Sequence, residues 1–232
     1  MEDLNASSPR VLFVHEYTLR PRHPNEDFER ALLRHFHAQG WQGAPVLYGR
    51  DHEDRLIHSV LRGTAIHDGR HLDDEYLAGA ARLVRQFHDL TAGTFLAEGQ
   101  ETVCHNALDP RHTISQKGVP YAFVDWENAA PGPRLHDVAD LCWRFVRPGP
   151  GAEEAPRRMR LICDTYGLSD RGQLVEAIMW RQDRRRQAIE AGARAGDPRM
   201  RALHAQGASA RVRDQFLWVR ENYRELSGAV SA

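Results

Sequence analysis

The sequence contains almost no lysine and very little cysteine. Lys117 is the single lysine among 31 basic residues, so any mechanism that needs a lysine amine elsewhere in the chain is excluded. The three cysteines, Cys104, Cys142 and Cys163, are too few and too scattered for a disulfide framework. We therefore expect reduced, mostly buried thiols with a structural role.

Long apolar runs and an excess of one charge are also missing. No segment approaches the run of about 18 apolar residues that spans a membrane, and the first five residues lack the basic and apolar regions of a secretory signal. The 31 basic and 32 acidic residues leave a net charge of -1, which gives no general attraction to nucleic acid. We therefore expect a cytoplasmic protein with neither a membrane nor a nucleic-acid partner.

Glycine is absent from the first part of the chain, where no glycine precedes Gly40. Glycine-rich loops let backbone amides approach phosphate groups closely, so this common form of phosphate site is missing there. The total length of 232 residues suits one large or two small domains.

Short apolar runs near the start predict a small β structure with one helix. A polar lead-in ends at Arg10, Pro21 stops the second run, and Gly63 begins a linker. Asn25 is placed to cap the helix. The predicted elements are strands at 11–14, 17–20, 44–49 and 56–61 and a helix from about residue 26 to residue 40.

The rest of the chain is mainly helical in pattern. Apolar residues recur at helical spacing from Asp73 or Asp74 to Leu90. Two strand-like runs, 102–104 and 121–124, flank the polar segment 105–112. Further helices are predicted at 137–145, 154–166, 171–191 and 208–226, with Gly167 and Pro198 as interruptions. Strands near the start and helices near the end indicate the α+β class.

The polar segment resembles a known family. Val103-Cys104-His105-Asn106-Ala107-Leu108-Asp109-Pro110-Arg111-His112, followed by Phe123-Val124-Asp125-Trp126-Glu127, is similar to the catalytic and metal-binding segments of the aminoglycoside phosphotransferases. Residues 81–89 and 131–140, and more loosely 18–21 and 43–45, fit in the same order, with Asp137 as the family's buried structural aspartate. The resemblance implies a two-lobed protein-kinase-like fold with a truncated β-rich N-lobe at 1–62 and a larger helical C-lobe at 63–232.

The resemblance also shows where the chain departs from the family pattern. In such kinases an aspartate accepts the proton of the attacking hydroxyl, an asparagine five positions later holds magnesium, and an aspartate on the next strand holds the metals. Asp125 matches the last of these, but Ala107 stands at the base and His112 at the asparagine. The phosphate-contacting base could only be Arg20. We therefore expect ATP-dependent phosphoryl transfer to be lost.

The candidate site is built from the polar residues of these segments. His112, Asp125, Glu127 and His105 are the candidate catalytic groups, because imidazoles and carboxylates transfer protons. A structural brace for His105, a salt-bridged rim for the acids, core positions for the tryptophans and a solvated helix face for the arginines remain open alternatives. The candidate substrate-binding residues are Asn106, Asp109, Arg111, Trp126, Trp143, Trp180, Arg184 and Arg20.

No cofactor and no metal are expected, because Cys104, His105 and His112 lack the paired spacing and fourth ligand of a zinc site. The favoured function is cofactor-independent acid–base chemistry, dehydration or cyclisation by conjugate addition, on a small specialised metabolite such as an antibiotic precursor. The alternatives are a non-catalytic protein that binds a small molecule or a partner, and a divergent phosphotransferase that uses Asp109 as a displaced base.

Overall fold

The computed structural model describes residues 12–14, 17–67, 72–149 and 152–231, so the lead-in predicted up to Arg10 lies outside it. The α+β class is confirmed. Internal packing divides the chain into two compact units, one formed by residues 1–71 and 82–134 and the other by residues 72–81 and 135–232. The lobe boundary expected after residue 62 stays a prediction.

The first unit contains a four-stranded antiparallel sheet and one helix. The strands β1 (Leu12–Val14), β2 (Tyr17–Arg20), β3 (Leu47–Arg50) and β4 (Leu56–Ser59) lie in the order β1-β2-β4-β3. Helix α1 (Glu26–Ala38) buries an apolar stripe of Leu32, Leu33 and Phe36, which recur at helical spacing. The strands and the helix predicted for this segment are confirmed.

Asn25 precedes α1 but does not cap it with its side chain. Its amide instead donates hydrogen bonds to the carbonyl oxygens of Glu127 (3.0 Å) and Ala129 (2.8 Å). The predicted capping role is therefore wrong, because two carbonyl acceptors of a distant segment take the side chain.

Helix α2 (Asp74–Thr91) begins as its sequence predicts, with the carboxylate of Asp73 accepting a hydrogen bond from the backbone N–H of Tyr76 at 2.7 Å. The part of α2 after residue 81 belongs to the first unit and contributes Phe87 to an aromatic core. Edge-to-face contacts join Phe87 to Phe36, Phe123 and Trp126, with ring centroids 5.1 to 6.4 Å apart. Such pairs contribute about 0.5–1.5 kcal/mol each beyond burial.

Two small antiparallel ribbons complete the first unit. Strand β5 (Thr102–Cys104) pairs with β8 (Ala130–Gly132), and β6 (Thr113–Gln116) pairs with β7 (Val119–Phe123). The β6–β7 turn has positive φ at Lys117 (51°) and Gly118 (81°), and Lys117 is exposed at its tip. The sequence predicted β5 and β7 but missed β6 and β8, whose short segments mix polar and apolar residues.

The second unit is helical. After the first part of α2, up to residue 81, it contains α3 (Leu135–Arg144), α4 (Ala155–Tyr166), α5 (Leu174–Ala195), α6 (Pro198–Ala205), α7 (Ala208–Glu221) and α8 (Tyr223–Ser231). Asp140 on α3 accepts a hydrogen bond from Nε of Arg181 on α5 at 2.9 Å.

Two predictions for the second unit are corrected. Pro198 does not break structure; it occupies the first turn of α6, where its missing N–H has no helical partner to lose. The helix predicted at 208–226 is divided at Asn222 into α7 and α8, although the backbone N–H of Asn222 still donates to the carbonyl oxygen of Trp218 at 3.0 Å. Within the described residues, no helix combines the length and apolarity that a membrane crossing requires.

Candidate active site around Asp125

A strand hairpin brings the polar loop after β5 next to the residue that follows β7. The loop 105–109 leads into a single 3₁₀ turn, Pro110–His112, and the β6–β7 hairpin then reverses the chain. The backbone N–H of Val124 donates to the carbonyl oxygen of His112 at 2.9 Å. This pairing sets Asp125 beside His112, as the sequence predicted for a loop flanked by two strands.

Asp125 is a buried carboxylate paired with a guanidinium. Its side chain is 5% exposed, and its Oδ1 lies 2.6 Å from Nη2 of Arg20 at the end of β2. Burial alone would raise the pKa of Asp125, but the charges of Arg20 and His112 outweigh it and lower that pKa below the ordinary value. The backbone of Asp125 is left-handed, with φ 70° and ψ 56°. The surrounding contacts therefore hold this carboxylate ionised in an uncommon backbone conformation.

His112 reaches solvent, with 24% of its side chain exposed. Its Nδ1 lies 3.0 Å from the carbonyl oxygen of Ala107, so Nδ1 carries the proton of that hydrogen bond. Its Nε2 lies 3.6 Å from Oδ2 of Asp125. The imidazole thus has one nitrogen anchored and the other facing a carboxylate, which is the arrangement of an oriented acid–base group.

His105 is fully buried and both of its ring nitrogens are engaged. The backbone N–H of Ala107 donates to Nδ1 at 3.3 Å, and Nε2–H donates to the carbonyl oxygen of Val124 at 3.1 Å. The ring also packs on Trp126 at 4.5 Å between centroids. This geometry agrees with the alternative of a structural brace and leaves no free nitrogen for a reaction.

The loop between these histidines is held by its own side chains. Asn106 adopts a positive φ of 62° and donates to the carbonyl oxygen of Asn128 at 3.2 Å. The carboxylate of Asp109 accepts from the backbone N–H (3.0 Å), Nε (2.9 Å) and Nη2 (3.0 Å) of Arg111. Asp109 and Arg111 therefore form an ion pair, which agrees with the alternative of a salt-bridged rim.

The remaining predicted residues separate into core and surface. Trp126 is fully buried and donates from Nε1 to the carbonyl oxygen of Phe123 at 3.0 Å, so its predicted contact with a ligand is replaced by a core role. Glu127 is partly exposed in the 3₁₀ turn that follows Asp125.

Three predicted ligand-binding residues belong to the second unit. There Trp143 is buried and donates to Gln215 at 2.9 Å, whereas Trp180 is 42% exposed between the ring of His136 and the guanidinium of Arg184. The ligand-binding role of Trp180 and Arg184 stays a prediction.

Known proteins support the family suggested by the sequence. Residues 94–204 match the model of the phosphotransferase enzyme family. This chain carries a phosphotransferase-family domain. A curated relative, the trifolitoxin immunity protein of Rhizobium leguminosarum bv. trifolii, is 29% identical over 177 residues, which cover 64% of this chain and 67% of the relative.

Solved structures show the same fold for the phosphotransferase-family domain and the strands before it. A choline/ethanolamine kinase family protein from Mesorhizobium loti aligns over 100% of this chain and 92% of its own, with a TM-score of 0.65 and 16% identity. An aminoglycoside phosphotransferase in complex with gentamicin aligns over 87% and 85%, with a TM-score of 0.57 and 11% identity. At these identities the likeness establishes the fold.

The magnesium ions implied by the phosphotransferase family do not fit the donors present here. Magnesium prefers oxygen ligands in octahedral geometry. The one matching carboxylate, Asp125, has a guanidinium against Oδ1 and an imidazole facing Oδ2. An imidazole also stands where the family has the amide oxygen of asparagine. The guanidinium of Arg20 therefore places a permanent positive charge beside Asp125, where the family would have a metal ion.

The sequence indicated Arg20 as a phosphate contact but gave no indication of its pairing with Asp125. It also missed a buried group in the first unit formed by His23, Glu29 and His58. The available signal was modest: a basic residue ends the strand Tyr17–Arg20, and a histidine interrupts the otherwise apolar start of β4.

Proposed function

We propose that this phosphotransferase-family protein has lost phosphoryl transfer from magnesium-ATP and performs acid–base chemistry on a small organic metabolite. The observation that carries the proposal is the Arg20–Asp125–His112 arrangement next to Ala107. A guanidinium takes the carboxylate that would otherwise hold a metal, and the neighbouring imidazole faces the same carboxylate. Ala107 offers no side-chain atom that accepts a proton.

The proposed chemistry needs only proton transfer and positioning. His112 removes a proton from carbon next to a carbonyl, the carbon–hydrogen electron pair forms a double bond, and the resulting imidazolium protonates the departing hydroxyl as water. In the alternative cyclisation, the imidazole accepts the proton of an attacking hydroxyl and returns a proton to carbon. Asp125 stabilises the imidazolium in both reactions, while Arg20 keeps Asp125 ionised.

The divergent-phosphotransferase alternative is weakened by the contacts of Asp109. A displaced base must have an oxygen available to accept the proton of a substrate hydroxyl. Both carboxylate oxygens of Asp109 already accept hydrogen bonds from Arg111, and its side chain is 10% exposed. These hydrogen bonds leave Asp109 few acceptor positions for a substrate hydroxyl.

Calorimetry with magnesium-ATP tests the loss of phosphoryl transfer. We expect no saturable heat and no ADP release with aminoglycosides, choline or ethanolamine as acceptors. Ala107→Asp alone should also stay inactive, because Arg20 still neutralises Asp125. The triple variant Ala107→Asp, His112→Asn, Arg20→Lys restores the family pattern and is the matched comparison. ADP release by the unmodified protein would overturn the proposal.

Metabolite profiling tests the acid–base reaction. In cells that lack the protein we expect accumulation of a compound that differs from the normal product by one water, or is its isomer. His112→Ala and Asp125→Ala should reproduce that accumulation, whereas His37→Ala, at an exposed position of α1, should not. A difference of one phosphoryl group between the two compounds would support phosphotransferase chemistry instead.

A second candidate function is non-catalytic binding of a small antibiotic-like molecule. The name of the 29% identical relative, an immunity protein against trifolitoxin, favours it. Such a protein gives saturable binding and protects cells without producing any new compound. Recovery of the toxic molecule, chemically unchanged, from a protected culture would select this function over the acid–base reaction.

A further inference from the structure

A pocket of about 540 Å³ lies in the second unit, between α4, the loop that follows α4 and the end of α8. Its volume falls within the range of about 300–1,000 Å³ that is typical of small-molecule sites. The pocket shares no residue with the candidate site around Asp125. Polar side chains dominate its wall, which is formed by Arg160, Asp164, Leu168, Ser169, Arg171 and Ser231.

Arg171 is held in one orientation by three acceptors. Its Nε donates to the carbonyl oxygen of Leu168 at 2.9 Å, and its Nη1 donates to the carbonyl oxygen of Val230 at 3.0 Å. Its Nη2 lies 2.5 Å from Oδ1 of Asp164. Only 19% of the side chain is exposed. The guanidinium of Arg171 is therefore a positive charge at the wall of the pocket that is already ordered before a ligand binds.

Arg160 lines the same pocket and, among the described residues, pairs with no carboxylate. Asp164 lies four positions further along α4, a spacing at which oppositely charged side chains pair on a helix, but its Oδ1 accepts from Arg171 instead. The part of the chain that the structure describes offers Arg160 no hydrogen bond, and its Nε is buried without an acceptor. Buried polar atoms without a partner are rare, so this guanidinium is available to an external acceptor.

Charge selects an anion as that acceptor. Two guanidiniums and one carboxylate line the pocket, which leaves one positive charge in excess. The planar fork of arginine matches a carboxylate or a phosphate group with two parallel hydrogen bonds. The exposed Ser169 and Ser231 offer hydroxyl groups, and Leu168 offers an apolar contact. This combination suits an organic anion better than an inorganic one.

We propose that this pocket binds a small organic anion through the guanidinium of Arg160, which takes the carboxylate or phosphate group of the ligand. Arg171 adds electrostatic attraction while it keeps its own three acceptors. The apolar part of the ligand packs against Leu168. Because all of these residues belong to the second unit, the site is independent of the acid–base function proposed for His112 and Asp125.

Calorimetry of the full chain with phenyl phosphate, benzoate and inorganic phosphate tests the site. We expect one equivalent of an organic probe to bind saturably and more tightly than inorganic phosphate, with an affinity that falls as added salt screens the charges. Tighter binding of phenyl phosphate identifies phosphate as the recognised group, and tighter binding of benzoate identifies carboxylate.

Arg160→Met should lower the affinity for the organic probe about tenfold or more, because hydrogen bonds between charged groups are the strong ones. Arg213→Met removes the same charge from a 63% exposed side chain of α7 and is the matched control. Unchanged affinity in Arg160→Met, an equal loss in Arg213→Met, or no saturable binding of any probe by the unmodified protein would each show that no such site exists.

Asp164→Asn keeps the test decisive even where Arg160→Met disturbs folding. The substitution removes the negative charge of the pocket, so the affinity for the anionic probe should rise, by up to about fivefold for a side chain as exposed as this one. A variant that folds poorly would not gain affinity. Lower affinity in Asp164→Asn would place the anion elsewhere on the protein and contradict the proposal.

Discussion

Arg20 and Asp125 are 105 positions apart in the sequence and meet at 2.6 Å. A buried carboxylate is costly unless a cation and hydrogen bonds compensate it, and removing one partner of such a pair is worse than never having the pair. Arg20 therefore stabilises the fold through its pairing with Asp125. Its side chain is 20% exposed, which makes the pair only partly buried.

Arg20→Met should destabilise the protein by about 3 kcal/mol, near the lower end of the range for breaking a buried pair. The reason is the uncompensated charge left on Asp125. Urea denaturation of both proteins measures the difference. Arg22→Met, at a 66% exposed residue paired with Asp54, is the control and should cost less than about 1 kcal/mol. Equal effects of the two substitutions would contradict the pairing.

Acid should weaken the contribution of Asp125. Its folded-state pKa is lowered, so the stability it supplies is complete above the ordinary aspartate value of 3.8 and is lost as pH falls through the folded value. The difference in unfolding free energy between the unmodified protein and Asp125→Asn should be constant from about pH 7 to pH 5 and shrink below about pH 4. Asp27→Asn, at a 91% exposed carboxylate, should show no such change.

The sequence identified the polar residues of the site but not their bonds. His105, His112 and Asp125 came from one resemblance and do lie together. The ion pair with Arg20 depends on how β2 packs, which no local pattern records. The sequence spacing of His23, Glu29 and His58 gives no indication that both imidazoles lie next to the carboxylate of Glu29.

Helices α3 and α5 of the second unit are joined by a buried ion pair. Asp140 is 2% exposed and Arg181 12% exposed. Burial raises the pKa of Asp140 although Arg181 opposes it, so desolvation is the larger effect on this carboxyl group. The pair fixes which faces of the two helices meet.

Asp140→Ala should cost about 3–5 kcal/mol, because the guanidinium of Arg181 stays buried without its carboxylate. Thermal or urea unfolding monitored by circular dichroism measures the loss. Asp183→Ala on α5 removes a more exposed partner of Arg186 and should change stability by less than about 1 kcal/mol. A small effect at Asp140 would mean that water reaches this helix contact.

Element prediction succeeded where apolar periodicity was long and failed where it was short. Helices α1, α2 and α4 follow clear stripes of apolar residues and were predicted within a few positions. Strands β6 and β8 are three or four residues long and are defined by their partners rather than by their own sequence. Helix α6 buries no residue, so it has no apolar stripe to read.

Over the whole molecule, the scattered thiols have one property in common. Cys104, Cys142 and Cys163 form no disulfide and are fully buried, as their small number predicted. Cys104 donates its S–H to the carbonyl oxygen of Pro133 in the first unit, and Cys142 and Cys163 lie on α3 and α4 of the second. Each unit therefore contains at least one buried thiol whose reaction with a reagent would report local unfolding of that unit.

A thiol reagent should detect no reactive cysteine in the native protein and all three after denaturation. Buried thiols react only through transient opening, so the native reaction rate should rise with urea. Mass spectrometry of partly labelled protein identifies which unit opens first. Fast labelling of any cysteine in buffer alone would show that its unit opens far more often than its burial implies.

The tip of the β6–β7 hairpin carries the one lysine of the sequence. Lys117 is exposed, and the strand that follows it ends two residues before Asp125. A reagent or an enzyme that acylates lysine side chains, and not the α-amino group, therefore has a single target residue, on the hairpin that supports the candidate site. An attachment there would give every molecule on a sensor surface the same orientation.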